Sequence, residues 1–414
     1  MALIERLLSG RITKGTLTIH RPDGSASTLG TSTPNWPDIH LRIIASNAER
    51  RILTNPSLGL GECYMDGSVS VDHDDIMGLV ALVRGNNPWE SGGKLKPESP
   101  LKQAVSMALR PLRQLNNLAN SRSNVAHHYD LSNDFYRQWL DSDMQYSCAY
   151  WPDGVDTLEQ AQIAKKAHIA AKLHLRARQR VLDIGCGWGG MALYLNRVAD
   201  VDVLGITLSS EQLKLAQERA EKSGVSDRVK FELIDYRDLA IREPQGFDRI
   251  VSVGMFEHVG VPQFDAFFRA VTNLMTDDGV MLLHTIGRMG SPSTTDAFTR
   301  KYIFPGGYIP ALSETLAASE KVKLIHSDVE NLRIHYAKTL REWYQRVQTI
   351  RAAVISQYDE KFYRMWLFYL AGATAAFESG GMCNYQIQYI RSRHNLPLTR
   401  DYMAEVEKEY LAKG

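Results

Sequence analysis

Asp183, Gly185, Gly187 and Gly189 occupy alternate positions in Val181–Gly190 (VLDIGCGWGG). Glycines so spaced let the backbone turn sharply and lie close against a ligand. Gly185, Gly187 and Gly190 also satisfy the looser G-x-G-x-x-G spacing of dinucleotide sites, so spacing alone leaves two cofactor classes open. The tighter G-x-G-x-G, with Asp183 two residues ahead, suits S-adenosylmethionine. That molecule has no pyrophosphate. Its ammonium needs a carboxylate, and its carboxylate needs backbone N–H groups. Downstream, Gly205–Ser209 (GITLS) holds no acid where a nicotinamide dinucleotide would bring its ribose. Thr207, Ser209 and Gln212 would hydrogen-bond there instead. Asp235, Tyr236 and Arg237 can frame an adenine. Glu257 and His258 (MFEH) and His284 would set a carboxylate and two imidazoles beside the cofactor.

These residues act together only if strands and helices bring them to one edge. Arg180–Ile184 reads as a strand, and Met191–Ala199 as the helix after the glycine turn. Val201–Thr207, Val229–Ile234, Phe247–Val253 and Val280–Thr285 read as further strands. Glu211–Ser223, capped by Gly224, and Gln263–Met275 read as the intervening helices. Strand and helix alternate from 180 to 285, which predicts a parallel, doubly wound α/β sheet. Ligands of such sheets sit at the carboxyl ends of the strands, where all the residues above fall. Leu158–Leu175 is expected to be a helix leading into this unit.

The first 85 residues carry no catalytic pattern. Arg11–His20 alternates like a strand, Leu58–Cys63 and Ser68–Val71 read as a strand pair around Asp66-Gly67, and Ile76–Val83 reads as a helix. A small α+β accessory domain over 1–85 is expected. Asn86–Pro100 is a linker by composition, though Trp89 is unusual in one. Leu101–Leu118 has apolar residues at helical spacing, and its charges, Lys102, Arg110 and Arg113, are all positive. Such a helix lies on an anionic membrane surface or packs on its neighbour. Residues 86–123 thus join the accessory domain to 124–414. Adjacent His127 and His128 with Asp130 hint at a metal, but neighbouring residues do not share a face, and no metal is expected.

The bulk properties are those of an ordinary folded protein. The 414 residues carry a formal net charge of +1, with 44% hydrophobic and 23% charged residues. Nothing global points to nucleic acid. The four cysteines are scattered without a C-x-x-C, which fits a reducing cytoplasm. No signal peptide is visible, and Met365–Phe377 is too short to span a bilayer, which takes about 20 residues. Membrane contact, if made, is peripheral.

Several segments together resemble the cyclopropane-fatty-acid-synthase family of S-adenosylmethionine-dependent methyltransferases. They are His128–Tyr136 (HYDLSNDFY), Tyr146–Tyr150 (YSCAY), Val181–Gly190, Gly205–Ser209 with Gln212, Gly254–Gly260 (GMFEHVG), Leu283–Gly287 (LHTIG), Lys301–Gly307 (KYIFPGG) and Asp328–Leu340 (DVENLRIHYAKTL). The resemblance implies a Rossmann-like class I methyltransferase sheet with a smaller N-terminal domain for lipid docking or dimerisation. It implies cofactor contacts at Tyr146, Ser147, Asp183, Gly185, Cys186, Gly187, Gly189, Thr207, Leu208, Ser209, Gln212, Asp235, Tyr236 and Arg237.

It also implies a reaction: a one-carbon unit passes to a cis double bond of a phospholipid acyl chain and closes to a cyclopropane. A bound bicarbonate, held by Cys148, Glu257, His284, the backbone of Ile286 and Tyr336, would remove the proton. A homodimer on the inner, anionic face of the membrane is the family's setting. The same fold also serves methyl-branched lipids and N-methylation of small amines, which stands as the alternative. One departure is Ala373, where many members carry a cysteine. An alkene methylation needs no thiol nucleophile, so that position is expected to be dispensable. Ile303–Pro310 and the aromatic-rich stretch 343–377 are expected to line the acyl channel.

Overall fold

The computed structural model describes residues 3–93 and 131–414. The basic helix expected over 101–118, with His127, His128 and Asp130, lies outside the described residues, as does most of the linker. By compactness the chain divides into two units. Among described residues one holds 3–93, 295–305 and 337–382, and the other holds 131–294, 306–336 and 383–414.

The second unit is built on a seven-stranded sheet. Its first strand in the chain is β5 (Arg180–Ile184), followed by β6 (Asp202–Thr207), β7 (Val229–Leu233), β8 (Phe247–Val253), β9 (Met275–Arg288), β10 (Ile325–Asn331) and β11 (Met382–Ile390). Their order across the sheet is β10-β11-β9-β8-β5-β6-β7. The five strands from β9 to β7 run parallel, as the alternation predicts. β10 and β11 pair antiparallel with each other and were not legible as strands. The chain winds outward from β5 to β7 and resumes at β8 on the other side of β5. The β5/β8 boundary is therefore the switch point, where a crevice opens for a ligand.

Both sheet faces are covered, which is why these strands read as unbroken apolar runs. Met191, Leu195 and Val198 of the helix Gly190–Ala199 pack with Val181, Val203 and Val229 on one face. Phe264, Phe267, Phe268 and Val271 of the helix Phe264–Leu274 pack with Ile250 and Met281 on the other. Helix starts are fixed by side chains that accept a free backbone N–H: Thr157 before Leu158–Lys172, Ser209 before Ser210–Lys222, and Asp235 before Tyr236–Arg242.

The first unit has a four-stranded sheet ordered β2-β1-β3-β4, from β1 (Gly15–His20), β2 (Ala26–Thr31), β3 (Asp38–Ile43) and β4 (Val69–Val71). The strand expected at Leu58–Cys63 is instead part of a helix, Pro56–Met65. Asn55 caps it and Pro56 opens it, a pairing that favours a helix start. The alternating Leu58-Gly59-Leu60-Gly61 mimics a strand but serves packing. A Cβ at Gly59 would lie 2.2 Å from the Arg51 carbonyl oxygen, and one at Gly61 would lie 2.5 Å from the Phe298 ring. The helix Glu360–Glu378 packs on Pro56–Met65 and on Ile76–Gly85 in the same unit. Among the described residues no helix is long and apolar enough to cross a membrane.

Candidate active site

The strand ends of the second unit enclose a cavity at the switch point. Twelve of the fourteen expected cofactor residues line it: Tyr146, Ser147, Asp183, Gly185, Cys186, Gly187, Thr207, Leu208, Gln212, Asp235, Tyr236 and Arg237. Gly189 and Ser209 stand behind it. Gly189 (φ 82°) turns the chain into the following helix, where a Cβ would meet the Phe231 ring at 2.6 Å. Ser209 is spent as the cap of the next helix, accepting from Gln212 N. Apolar walls come from Ile184, Ile206, Ile234, Val253 and Met255.

Charge in this cavity is concentrated on Asp183. Its side chain is buried, and no donor reaches Oδ2. Burial pushes the carboxyl up to about 7, with the Lys165 charge pulling the other way. An orphaned carboxylate in a cavity is the partner an ammonium group requires. Asp235, by contrast, is satisfied internally. It caps its helix and holds Arg237 through Nε at 2.7 Å and Nη2 at 2.8 Å. The Thr207 hydroxyl donates to Gln212 Oε1 at 3.0 Å, which fixes the Gln212 amide. The N–H groups of Gly185 and Cys186 are spent on the Ile206 carbonyl, so a cofactor carboxylate would look to other amides of the turn.

Beside the cavity lies the second expected set. Glu257 sits in a 3-10 turn after β8, and Ile286 lies near the end of β9. Glu257 Oε1 accepts the Ile286 N–H at 2.6 Å, while Oε2 is buried without a partner. Burial pushes the Glu257 carboxyl up to about 7 against the pull of that amide. Its neighbour His258, not Glu257, lines the cofactor cavity, and burial lowers its ring to about 4.

The side chains that orient His284 come from β11, and Glu257 is not among its hydrogen-bond partners. The His284 ring lies between two amides of β11, Asn384 Nδ2 at 2.7 Å from Nε2 and Gln386 Nε2 at 3.2 Å from Nδ1. Burial holds the ring well below its ordinary 6.5, so it is neutral. A neutral imidazole has one N–H, so one of these amides presents its oxygen to the ring.

Cys148 is buried, and burial pushes its thiol up, which makes it a poor nucleophile. Tyr336 follows His335, whose Nδ1 accepts the Trp151 N–H at 2.8 Å and whose ring stacks on Tyr150 at 5.0 Å. The segment that carries Cys148 is thus tied to the one that carries Tyr336. Among the described residues no group of three or more His, Cys, Asp or Glu could hold a metal ion.

Residues 144–147 form a whole wall of the cavity, and Gln145 and Trp188 join the lining without having been anticipated. Behind them, Gln162 and Lys165 hold that wall. Polar residues at helical spacing in an alanine-rich stretch read equally well as a solvated face, so the sequence carried no separate signal for them.

Known proteins resemble this chain in sequence and fold. The profile of the family described as mycolic acid cyclopropane synthetase matches residues 116–387. The chain is similar to a cyclopropane-fatty-acyl-phospholipid synthase of Escherichia coli, 39% identical over 348 residues, covering 84% of this chain and 86% of the relative. It is similar to the tuberculostearic acid methyltransferase UfaA1 of Mycobacterium tuberculosis, 32% identical over 404 residues, covering 94% and 91%. Among solved structures it resembles the mycolic acid cyclopropane synthase CmaA1 complexed with SAH and CTAB. That match has a TM-score of 0.61 and 35% identity over 65% of this chain and 97% of the other.

Proposed function

The chain belongs to the mycolic acid cyclopropane synthetase family of methyltransferases, and from that premise we propose that it transfers a methylene from S-adenosylmethionine to the cis double bond of unsaturated phospholipid acyl chains. The observation that carries this is the orphaned Asp183 carboxylate in a cavity lined by the glycine turn and the ends of β5, β6 and β8. When bound, the cofactor supplies a methyl group made electrophilic by its sulfonium. Asp183 would hold the ammonium end, Thr207 and Gln212 would face the ribose, and Asp235, Tyr236 and Arg237 would frame the adenine. An alkene is a weak nucleophile, so the walls must hold it tightly against the methyl group. Aromatic faces suit the resulting cation because they attract charge without bonding to it.

Bicarbonate, when bound, supplies the base for the proton lost from the new methyl group. Glu257 Oε2, buried and unpartnered, fits a hydrogen bond from such an ion. Ile286 N–H and His284 would each have to exchange a protein partner for it. Cys148 and Tyr336 would complete the set, with no thiol nucleophile at Ala373. In this reading the protein is cytoplasmic, dimeric and docked on the inner, anionic membrane face through residues 1–123.

A product analysis tests the reading. The protein is incubated with S-adenosylmethionine, bicarbonate and vesicles of a cis-monounsaturated phospholipid, and fatty-acid methyl esters are run on gas chromatography with mass detection. The expected product is one methylene heavier and survives hydrogenation that saturates an alkene. A second reading, a methyl-branched lipid, is favoured by the similarity to UfaA1 over 94% of the chain. A branched or methylene-bearing product would establish it instead. Absence of any lipid product with cofactor binding intact would move the substrate to small amines.

A further inference from the structure

The helix Leu158–Lys172 carries Gln162, Lys165, His168 and Lys172 at steps of three, three and four, a single helical face. That face points inward: Gln162 and Lys165 are 0% exposed and Lys172 is 1%. Burying an ammonium is costly unless hydrogen bonds and counter-charge meet it. Here the hydrogen bonds converge on one segment, and Asp141 and Asp143 supply the counter-charge from just before it. Lys165 Nζ donates to Gln145 Oε1 at 2.6 Å and to Ser147 Oγ at 3.0 Å. One turn earlier, Gln162 Nε2 donates to the carbonyls of Gln145 and Ser147, each at 3.1 Å. One turn later, the His168 ring stacks on Tyr150 at 4.0 Å and is held by Glu330 at 2.7 Å and Glu407 at 2.9 Å. Lys172 anchors Glu330 in turn.

Residues 145–150 are therefore gripped from one helix by side chain, carbonyl, hydroxyl and ring. The same residues form a cavity wall (Gln145, Tyr146 and Ser147) and then present Cys148. We propose that Lys165, together with Gln162, is the positioning residue of the transfer site: it sets the 145–147 wall against the cofactor and thereby fixes where Cys148 stands. This rests on the reading that S-adenosylmethionine occupies the cavity. The charged and titratable groups around Lys165 are Asp141, Asp143, Cys148 and Lys166, with Asp183 and His284 also within reach of its charge. Burial draws the Lys165 ammonium down to about 8, while the carboxylates oppose that shift. Its charge in turn opposes, without cancelling, the rise that burial imposes on the Asp183 carboxyl.

Lys165→Met keeps the length of the side chain and removes the donor. Calorimetric titration with S-adenosylhomocysteine, kcat and KM for both substrates, the pH profile and the melting temperature are measured beside wild type. The expected result is a folded variant with S-adenosylhomocysteine binding weakened by about tenfold for the two lost hydrogen bonds. Its kcat falls by about 10²-fold as the wall shifts, and any limb of the wild-type profile near pH 8 is lost. A variant that melts lower but keeps wild-type affinity, KM, kcat and pH profile overturns the proposal, since a merely structural lysine would behave so. If Lys165→Met does not fold, Gln162→Met decides by the same titration and kcat: weaker binding with lower kcat supports the grip, and unchanged values overturn it. Wild type failing to bind S-adenosylhomocysteine would sink the cofactor reading itself, and this one with it.

Discussion

Glu257 holds its two oxygens in different states, one on the Ile286 amide and one with no donor. Glu257→Gln keeps an oxygen for that amide and removes the proton-accepting one. S-adenosylhomocysteine affinity should stay near wild type, while turnover falls by about 10²–10⁴-fold, the usual worth of a positioned acid or base. Wild-type turnover in the variant would remove Glu257 from the chemistry. Its pH signature follows from the same burial. The folded carboxyl is raised from 4.5 to about 7, so the folded state holds a proton that the unfolded chain releases in between. This stabilisation is complete below about pH 4.5 and is lost as pH rises through about 7. Glu257→Gln should therefore gain on wild type between pH 5 and 8, by at most about 3 kcal/mol in urea unfolding. Parallel pH trends in the two proteins would mean a solvated carboxyl. Asp183→Asn should weaken S-adenosylmethionine binding by about 10–100-fold, the worth of one charge-assisted hydrogen bond. Asp183 was legible because its motif is local. His284's partners were not, because Asn384 and Gln386 lie a hundred residues away on β11.

At the scale of elements, the strand–turn–helix around Val181–Gly190 was readable end to end, since period, glycines and apolar run agree over ten residues. Its glycines are not equivalent. Gly187 (φ 53°) has open space where a Cβ would go, whereas Gly189 faces Phe231 and Ala216. Gly187→Ala should cost about 1–2 kcal/mol of backbone strain alone. Gly189→Ala should cost that plus about 1–3 kcal/mol of overpacking. Equal losses in denaturant unfolding would contradict the packing account. The helix Pro56–Met65 was misread because its glycines alternate with leucines for the sake of Arg51, Phe298 and Phe368, and two of those partners lie more than two hundred residues away. Non-local packing of this kind leaves no period in the sequence.

For the whole molecule, the basic stretch 101–118 leads to one more expectation. Reversing charge at Lys102, Arg110 and Arg113 should weaken co-sedimentation with anionic vesicles, each cation contributing about 1 kcal/mol near such a surface. Unchanged sedimentation would refute docking through this segment. The sequence set residues 1–85 apart as a domain, but compactness joins 3–93 with 295–305 and 337–382. Phe298 meets Phe368 at 4.7 Å, and Arg364 donates to the Tyr64 carbonyl at 3.2 Å, three hundred positions back along the chain. That arrangement has a consequence during synthesis. A ribosome making about 5–20 residues per second releases the helices Pro56–Met65 and Ile76–Gly85 long before the helix Glu360–Glu378 that packs on them. For roughly 15–60 s the faces of those two helices that Glu360–Glu378 packs on stay open, and this unit is expected to complete its packing only when nearly the whole chain is out. Residues 1–93 expressed alone should therefore aggregate or bind a chaperone rather than stand as a small protein.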